Sequence, residues 1–142
     1  MIVKATIAED WPDVEEALAR FAKVAVSYPF VDGLDFERAC TSIKTCIEAG
    51  DGYIIDGYLV MTTCFCPWYS TAKILQEWLV LKVYRTPPWG TKNIPEHLSA
   101  VAVRLGATRL ITGDSSPVDI MGSTYRSAGF IPLTCSFFKE VS

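Results

Sequence analysis

Tyr125-Arg126-Ser127-Ala128-Gly129-Phe130 is the stretch on which the reading of this chain turns. It describes a helix that runs to Ala128, stops where Gly129 can take the left-handed conformation, and hands over at Phe130 to an apolar run reaching Val141. That last run reads as a closing strand region. Upstream, Ile120 and Met121 belong to the same helix, with Ser116 as its cap, Pro117 at the first helical position and Asp119 completing a capping box. Before it, Gly113-Asp114-Ser115 reads as a loop and Arg109 to Thr112 as a short strand.

The remaining elements are punctuated in the same way. Ile2 to Thr6 suits a first strand, and Asp10 suits the cap of a helix with Pro12 in its first turn and Val14, Leu18, Phe21 and Ala25 at helical spacing. Ser27 to Leu34 carries Pro29 and Gly33 and reads as a loop. Asp35 then opens a second helix, with Phe36, Ala39 or Cys40, Ile43 and Ile47 on one side and Gly50 at its close. Gly52 to Ile55 and Tyr58 to Cys66 flank Asp56-Gly57, a strong two-residue hairpin signal. Pro67 to Ser70 turns the chain into a further apolar strand, Ala72 to Val83. After an irregular stretch, Asn93 and Glu96 mark a third helix, carrying Leu98, Val101, Ala102 and Leu105 and ending at Gly106. The order β-α-α-β-β-β-α-β-α-β predicts an α/β (α+β) fold, a mixed sheet with an antiparallel meander and flanking helices.

A chain of 142 residues, half of them hydrophobic, suits one domain spanning 1–142 with a core that needs no staples. Its net charge of -3 and scattered Lys and Arg residues give no basic stripe, so nucleic acid is not an expected partner. No apolar run reaches the roughly 18 residues of a membrane span. The five cysteines are an odd number and no signal peptide is evident, which together suit a reducing, cytoplasmic compartment. Cys64 and Cys66 share a strand face. A zinc site would need two more ligands, and with the lone His97 far away in sequence, packing in the core is favoured over a metal.

The order of elements, together with Tyr125, Gly129 and Phe130 in a Tyr-x-x-x-Gly-Phe helix ending, the Asp56-Gly57 hairpin and Gly106-Ala107 after the third helix, resembles the GNAT family of N-acyltransferases. The resemblance covers nearly the whole chain. It implies an N-acetyltransferase that takes acetyl-CoA as cosubstrate and acetylates an amine of a small molecule or a protein. It also admits a homodimer formed by sheet extension or strand exchange. In that family the coenzyme lies where strands four and five splay apart. The resemblance therefore carries the pantetheine arm to the backbone of Leu79, Leu81 and Val83, and the pyrophosphate to Arg85 and the amides of Trp89, Gly90, Thr91 and Lys92. Helix-terminal amides favour an anion there.

The phosphate loop departs from the family pattern of Arg or Gln, x, x, Gly, x, Gly or Ala. This chain reads Arg85-Thr86-Pro87-Pro88-Trp89-Gly90-Thr91-Lys92, in which Arg85 and Gly90 stand at a different spacing and Pro87 and Pro88 have no N–H to offer. Lys92 can compensate as a point charge, and the same residues equally suit a rigid packing turn. The eroded loop and short chain also look similar to small acyltransferase-like proteins of bacteriophages, for which the compartment is the host cytoplasm. Such a protein can keep the fold as a binding or structural module without the chemistry.

Acyl transfer to an amine needs a base for the amine's proton and an acid for the departing thiolate. Glu77 is the candidate base. The strand's alternation sets it on one face with Leu75, Leu79, Leu81 and Val83, where desolvation raises a carboxyl toward a useful pKa. The alternative is an exposed acid paired with Lys73 or Lys82. The resemblance makes Tyr125 the acid; the alternative is a core tyrosine. His97 is expected to face solvent, and Asp114, Ser115 and Ser116 are secondary candidates near the expected cleft mouth. Tyr28 and Phe30, in the loop between the first two helices, are candidates for acceptor binding. Trp68 and Tyr69 at a hairpin tip suggest a protein contact.

Overall fold

The computed structural model describes residues 2–25, 34–113, 121–133, 139 and 141. Strand β1 (Ile2–Lys4) is followed by helices α1 (Ile7–Ala25) and α2 (Phe36–Glu48), strands β2 (Gly52–Ile55), β3 (Tyr58–Phe65) and β4 (Lys73–Lys82), helix α3 (Ile94–Arg104), strand β5 (Ala107–Ile111) and helix α4 (Gly122–Ser127). The strands form one sheet in sequence order. All neighbours are antiparallel except β4 and β5, which are parallel. The reason is connectivity: α3 carries the chain back across the sheet between β4 and β5.

Helices cover both faces. Val14, Ala17 and Leu18 of α1 and Ile43 and Ile47 of α2 bury against Ile54, Leu59, Met61 and Leu81 on one face. Ile94, Leu98 and Val101 of α3, with Met121 and Tyr125, bury against Tyr53, Ile55, Val60 and Leu75 on the other. The alternation of Leu59, Val60 and Met61 between the two cores is the period-2 geometry of a strand covered on both sides.

The turn between β2 and β3 needs both of its residues. Asp56 has φ +48 and Gly57 has φ +86, the pair of left-handed conformations that a two-residue hairpin matched to strand twist requires. A Cβ on Gly57 would also come within 3.2 Å of the carbonyl oxygens of Tyr84 and Arg85.

Several local expectations are revised. The cap of α1 is Thr6, whose hydroxyl accepts from the Glu9 amide at 3.2 Å while Asp10 reaches back to accept from the Thr6 amide at 2.7 Å. Asp10 is thus the reciprocating partner of the cap, and Pro12 lies beyond the first turn. Asp35 does cap α2, accepting from the Arg38 amide. Asn93 precedes α3 but makes no side-chain cap bond: its backbone is already helical (φ -89, ψ -6), and its side-chain NH2 donates to Asp56 instead. Strand β5 begins two residues earlier than its apolar run suggests. Cys64 and Cys66 are exposed rather than packed in the core, whereas Cys40 and Cys46 pack against the α1/α2 core.

The end of α4 follows the sequence closely. Phe130 donates its amide to the Tyr125 carbonyl at 3.0 Å and Gly129 donates to Arg126 at 3.1 Å, with Gly129 at φ +89. These two bonds make a Schellman motif, which places the residue after the glycine over the residue three positions before the cap. The contact is present: the Phe130 and Tyr125 rings lie 5.1 Å apart. The strand expected from Phe130 is absent at Phe130 to Leu133, and its continuation lies mostly outside the described residues, as does the start of the last helix from Ser116.

Candidate active site

Strand β4 determines the site. Its pairing with β3 runs in register from Lys82 to Leu79, opposite Tyr58 to Met61, and resumes with Glu77 opposite Thr62. Trp78 is left over. This one-residue bulge reverses the alternation, because an extra residue shifts every later side chain to the opposite face. Leu79 and Leu81, with Val83 beyond the strand end, therefore face the α1/α2 core, whereas Leu75 belongs to the α3/α4 core with Val80. Glu77 lies on that second face. The single face expected for Leu75, Glu77, Leu79, Leu81 and Val83 is thus split in two.

Beside the bulge, β4 also loses its other neighbour. Its parallel ladder with β5 covers only Lys73 to Gln76, opposite Ala107 to Ile111. From Glu77 to Lys82 the β5 side of β4 has no strand partner among the described residues. The parallel ladder ends at Gln76 and Ile111, the last residue of β5, and along Trp78 to Lys82 this side of β4 faces no described strand.

Glu77 is 4% exposed and Tyr125 5% exposed. The Tyr125 hydroxyl donates to Glu77 Oε2 at 2.6 Å, at the short end of the range for such a bond. Glu77 is thus not an exposed acid paired with lysine, while Tyr125 is a core tyrosine, as the alternative had it, whose hydroxyl also reaches Glu77. The Schellman ending of α4 holds the tyrosine ring, the β4 bulge turns the carboxylate toward it, and the two meet where the β4–β5 ladder ends.

The loop that follows β4 is tied to the β2–β3 turn. Val83 and Tyr84 donate their amides to the Gly57 carbonyl at 3.0 and 2.9 Å. Asp56 Oδ2 accepts from Trp89 Nε1 and from Asn93 Nδ2, each at 3.1 Å. Within the loop, Gly90 donates to the Pro87 carbonyl and Lys92 to the Trp89 carbonyl. Of the four amides expected to face phosphate, those of Gly90 and Lys92 are thus committed to turns. The Trp89 and Thr91 amides are uncommitted among the described residues.

Trp89, Thr91, Lys92 and Asn93 form one wall of an open groove of about 560 Å³, with Pro95 and Glu96 of α3 and Ser123, Thr124 and Ser127 of α4 forming the rest. Thr91 and Thr124 bridge it through their hydroxyls, 3.3 Å apart. Arg85 is exposed, and neither it nor Gly90 lines the groove. His97 is half-buried on α3 and also stands apart from the groove. The side chains of Leu79, Leu81 and Val83 are occupied by the core, so only their backbone is left for a ligand. Tyr28, Phe30, Asp114, Ser115 and Ser116 lie outside the described residues.

Sequence reasoning treated Asp56 and Asn93 as a turn residue and a cap and missed their shared role in fixing the loop. The available signal was that Asn93 is followed by Ile94-Pro95 at a helix start, where a capping side chain is expected and instead serves a distant carboxylate.

No protein-family description and no curated protein sequence matches this chain. Solved structures do. The glucosamine-6-phosphate N-acetyltransferase of Arabidopsis thaliana superposes with a TM-score of 0.61 at 14% identity, over 100% of this chain and 98% of its own. The chain has the GNAT fold. A second structure with this GNAT architecture, described as a probable acetyltransferase, reaches a TM-score of 0.68 at 13% identity over 100% and 98% of the two chains. The tetramutant of the BH1408 protein from Bacillus halodurans reaches 0.73 at 10% identity over 99% of each. The likeness is one of shape along the whole length.

Among the described residues of this GNAT-fold chain, no group of three or more His, Cys, Asp or Glu side chains is arranged to hold a metal ion. None of the described helices is long and apolar enough to cross a membrane.

Proposed function

We propose that the protein is an N-acetyltransferase that passes the acetyl group of acetyl-CoA to an amine of a small molecule or a protein. The observation that carries this reading is the 2.6 Å contact between Tyr125 and Glu77, buried where the β4–β5 ladder ends. A carboxylate and a phenol, one a proton acceptor and the other a donor, are the two groups that the reaction needs.

The chain's own groups support the fit of the cosubstrate. The unpaired edge of β4 offers amide and carbonyl groups to the pantetheine arm. The Trp89 and Thr91 amides and the Lys92 ammonium offer donors and charge to the phosphates, in a groove wide enough for them. The cosubstrate supplies an activated acetyl group as a thioester. Glu77 then takes a proton as the amine nitrogen bonds to the acetyl carbon and the carbon–sulfur bond breaks, and Tyr125 gives its hydroxyl proton to the departing sulfur. Because Tyr125 already donates to Glu77, the proton taken by the carboxylate can return to the phenolate directly. Amine and thiol end balanced, and both side chains are restored without solvent.

Titration calorimetry tests the reading. Acetyl-CoA is expected to bind in the micromolar to millimolar range typical of substrates, with Lys92→Glu weakening it. Absence of binding at millimolar acetyl-CoA overturns the reading.

A second reading rests on the phosphate loop. Pro87 and Pro88 offer no amide, and Gly90 and Lys92 spend theirs internally. In that case the fold serves as a binding or structural module, and the Tyr125–Glu77 bond only fastens α4 to the sheet. Replacing Tyr125 with Phe then lowers the unfolding temperature and changes nothing else.

A further inference from the structure

We propose that Asp56, in the β2–β3 turn, is a positioning residue for coenzyme binding: one carboxylate oxygen holds both ends of the arc from Trp89 to Asn93 in the shape that receives the phosphates. The inference rests on the acetyl-CoA reading above and adds a device that the loop's own sequence does not contain.

A glycine-rich phosphate loop presents consecutive amides that its own tight turns hold in place. Here Pro87 and Pro88 interrupt the amides, and the groove-lining donors are confined to the segment between Trp89 and Asn93. Few donors remain, so their placement matters more: a cradle that must be ordered on binding gives up affinity to that ordering. Asp56 supplies the order from outside. Its Oδ2 accepts from the Trp89 indole at one end of the arc and from the Asn93 amide at the other, both at 3.1 Å. Between these fixed ends, the Thr91 hydroxyl meets Thr124 of α4 at 3.3 Å, so the middle is tied to the opposite wall.

The turn that carries Asp56 is itself held against the loop. Gly57 accepts from the amides of Val83 and Tyr84 through its carbonyl, and its α-carbon has room for no larger residue beside the carbonyls of Tyr84 and Arg85. Asn93 gives up the capping role that its position before α3 offers, and no side chain caps that helix in its place. In the first turn of α3 the Ile94 amide donates to the Thr91 carbonyl and Pro95 has none to offer, so Glu96, which lines the groove, carries the amide left open there.

The arrangement distinguishes two substitutions. Asp56 has φ +48, a conformation that glycine and asparagine both tolerate. Asp56→Gly removes the oxygen without straining the turn. Asp56→Asn keeps a carbonyl oxygen with two lone pairs, enough for both donors, and removes the negative charge. Calorimetry with acetyl-CoA, at a temperature where each variant is folded by circular dichroism, is expected to show about tenfold weaker binding for Asp56→Gly, the size of one or two lost hydrogen bonds. Asp56→Asn is expected to bind as tightly as the wild type or slightly more tightly. Should Asp56→Gly fail to fold, Trp89→Phe removes one of the two donors while keeping a ring, with about threefold weakening expected. Wild-type affinity in Asp56→Gly, or in Trp89→Phe if that variant is needed, overturns the proposal, as does a loss in Asp56→Asn equal to that in Asp56→Gly. If wild-type protein binds no acetyl-CoA, the coenzyme reading falls and this inference falls with it; if it binds and Asp56→Gly binds equally, only this inference falls.

Discussion

Asp10 and Glu77 are buried carboxylates that each accept a hydrogen bond from a tyrosine hydroxyl, on opposite faces of one sheet. Tyr84 donates to Asp10 Oδ1 at 2.8 Å, and Tyr125 donates to Glu77 Oε2 at 2.6 Å. Exposure is 8% at Asp10 and 4% at Glu77, so chemistry and burial barely separate the pairs. Their addresses do. Asp10 also closes the cap of α1 through the Thr6 amide, and Tyr84 packs against the α1/α2 core, so that pair fastens the end of β4 to a helix. Glu77 lies where β4 has lost its β5 partner and carries a bulge. A carboxylate–phenol contact is therefore no sign of catalysis by itself; one beside an unpaired strand edge is in a position to meet a substrate.

The sharpest way to break this comparison is Tyr125→Phe. If the second pair is catalytic, turnover of acetyl-CoA with an acceptor amine should fall by about 10²-fold, the usual range for a general acid, while calorimetric affinity for acetyl-CoA changes only a few-fold. An unchanged rate would make Tyr125 a fastener like Tyr84. Glu77→Gln should cost a similar factor, and because the two groups pass one proton between them, the double variant should be about as slow as the slower single variant. Multiplied losses in steady-state assays would separate their roles.

On the opposite face, Tyr84→Phe should lower stability by about 1–3 kcal/mol in urea titrations, because it takes a partner from buried Asp10. The turnover of the folded protein should not change. A large loss of rate would contradict the division of labour between the faces.

A smaller effect concerns pH. Burial, with the Asp10 hydrogen bond second, pushes the Tyr84 hydroxyl above its ordinary value of 10.0. The folded state therefore keeps this proton where the unfolded chain begins to lose it. Its stabilisation is complete below about pH 10 and declines as the pH rises beyond that. Urea titrations across that range should show the gap between wild type and Tyr84→Phe narrowing; a constant or widening gap contradicts the assignment. Least disruptive should be Gly129→Ala. A Cβ there meets nothing within 4 Å, so only the positive φ is penalised, by about 1 kcal/mol in the same assay.

The sequence made the fold legible where local chemistry and tertiary structure agree. Asp56-Gly57 demanded a hairpin and forms one, and Gly129-Phe130 demanded a helix stop and provides it with a ring contact. The cap of α1 was misread because Asp10 and Pro12 look like a helix start, yet Thr6 precedes them with a hydroxyl placed to do the same work. Glu77 was legible as a candidate from its place in an apolar strand and Tyr125 from the resemblance, but their contact was not. It depends on the bulge at Trp78, and a one-residue bulge leaves no periodicity signature beside Trp78 to Leu81, where every residue is apolar. Asp56 was legible as a turn residue and invisible as an anchor, because Trp89 and Asn93 are more than thirty positions away.

The bulge makes the register of β4 against β3 matter in a way that its composition does not. Trp78 is half-exposed and has no cross-strand partner in β3, so many side chains can stand in its place. Its removal is tolerable too: Leu79 pairs with Met61 and Glu77 with Thr62, so a strand without residue 78 would alternate regularly from Leu79 to Glu77 and keep the carboxylate on the face of Tyr125. The change that would carry Glu77 through the sheet is one that irons out the bulge at its present length, such as a residue inserted into β3 between Met61 and Thr62 to pair with Trp78. Position 78 thus acts as slack in β4, tolerant of spelling and of deletion, whereas the match of β3 to β4 at Thr62 and Glu77 should stay fixed among natural or engineered variants of this chain.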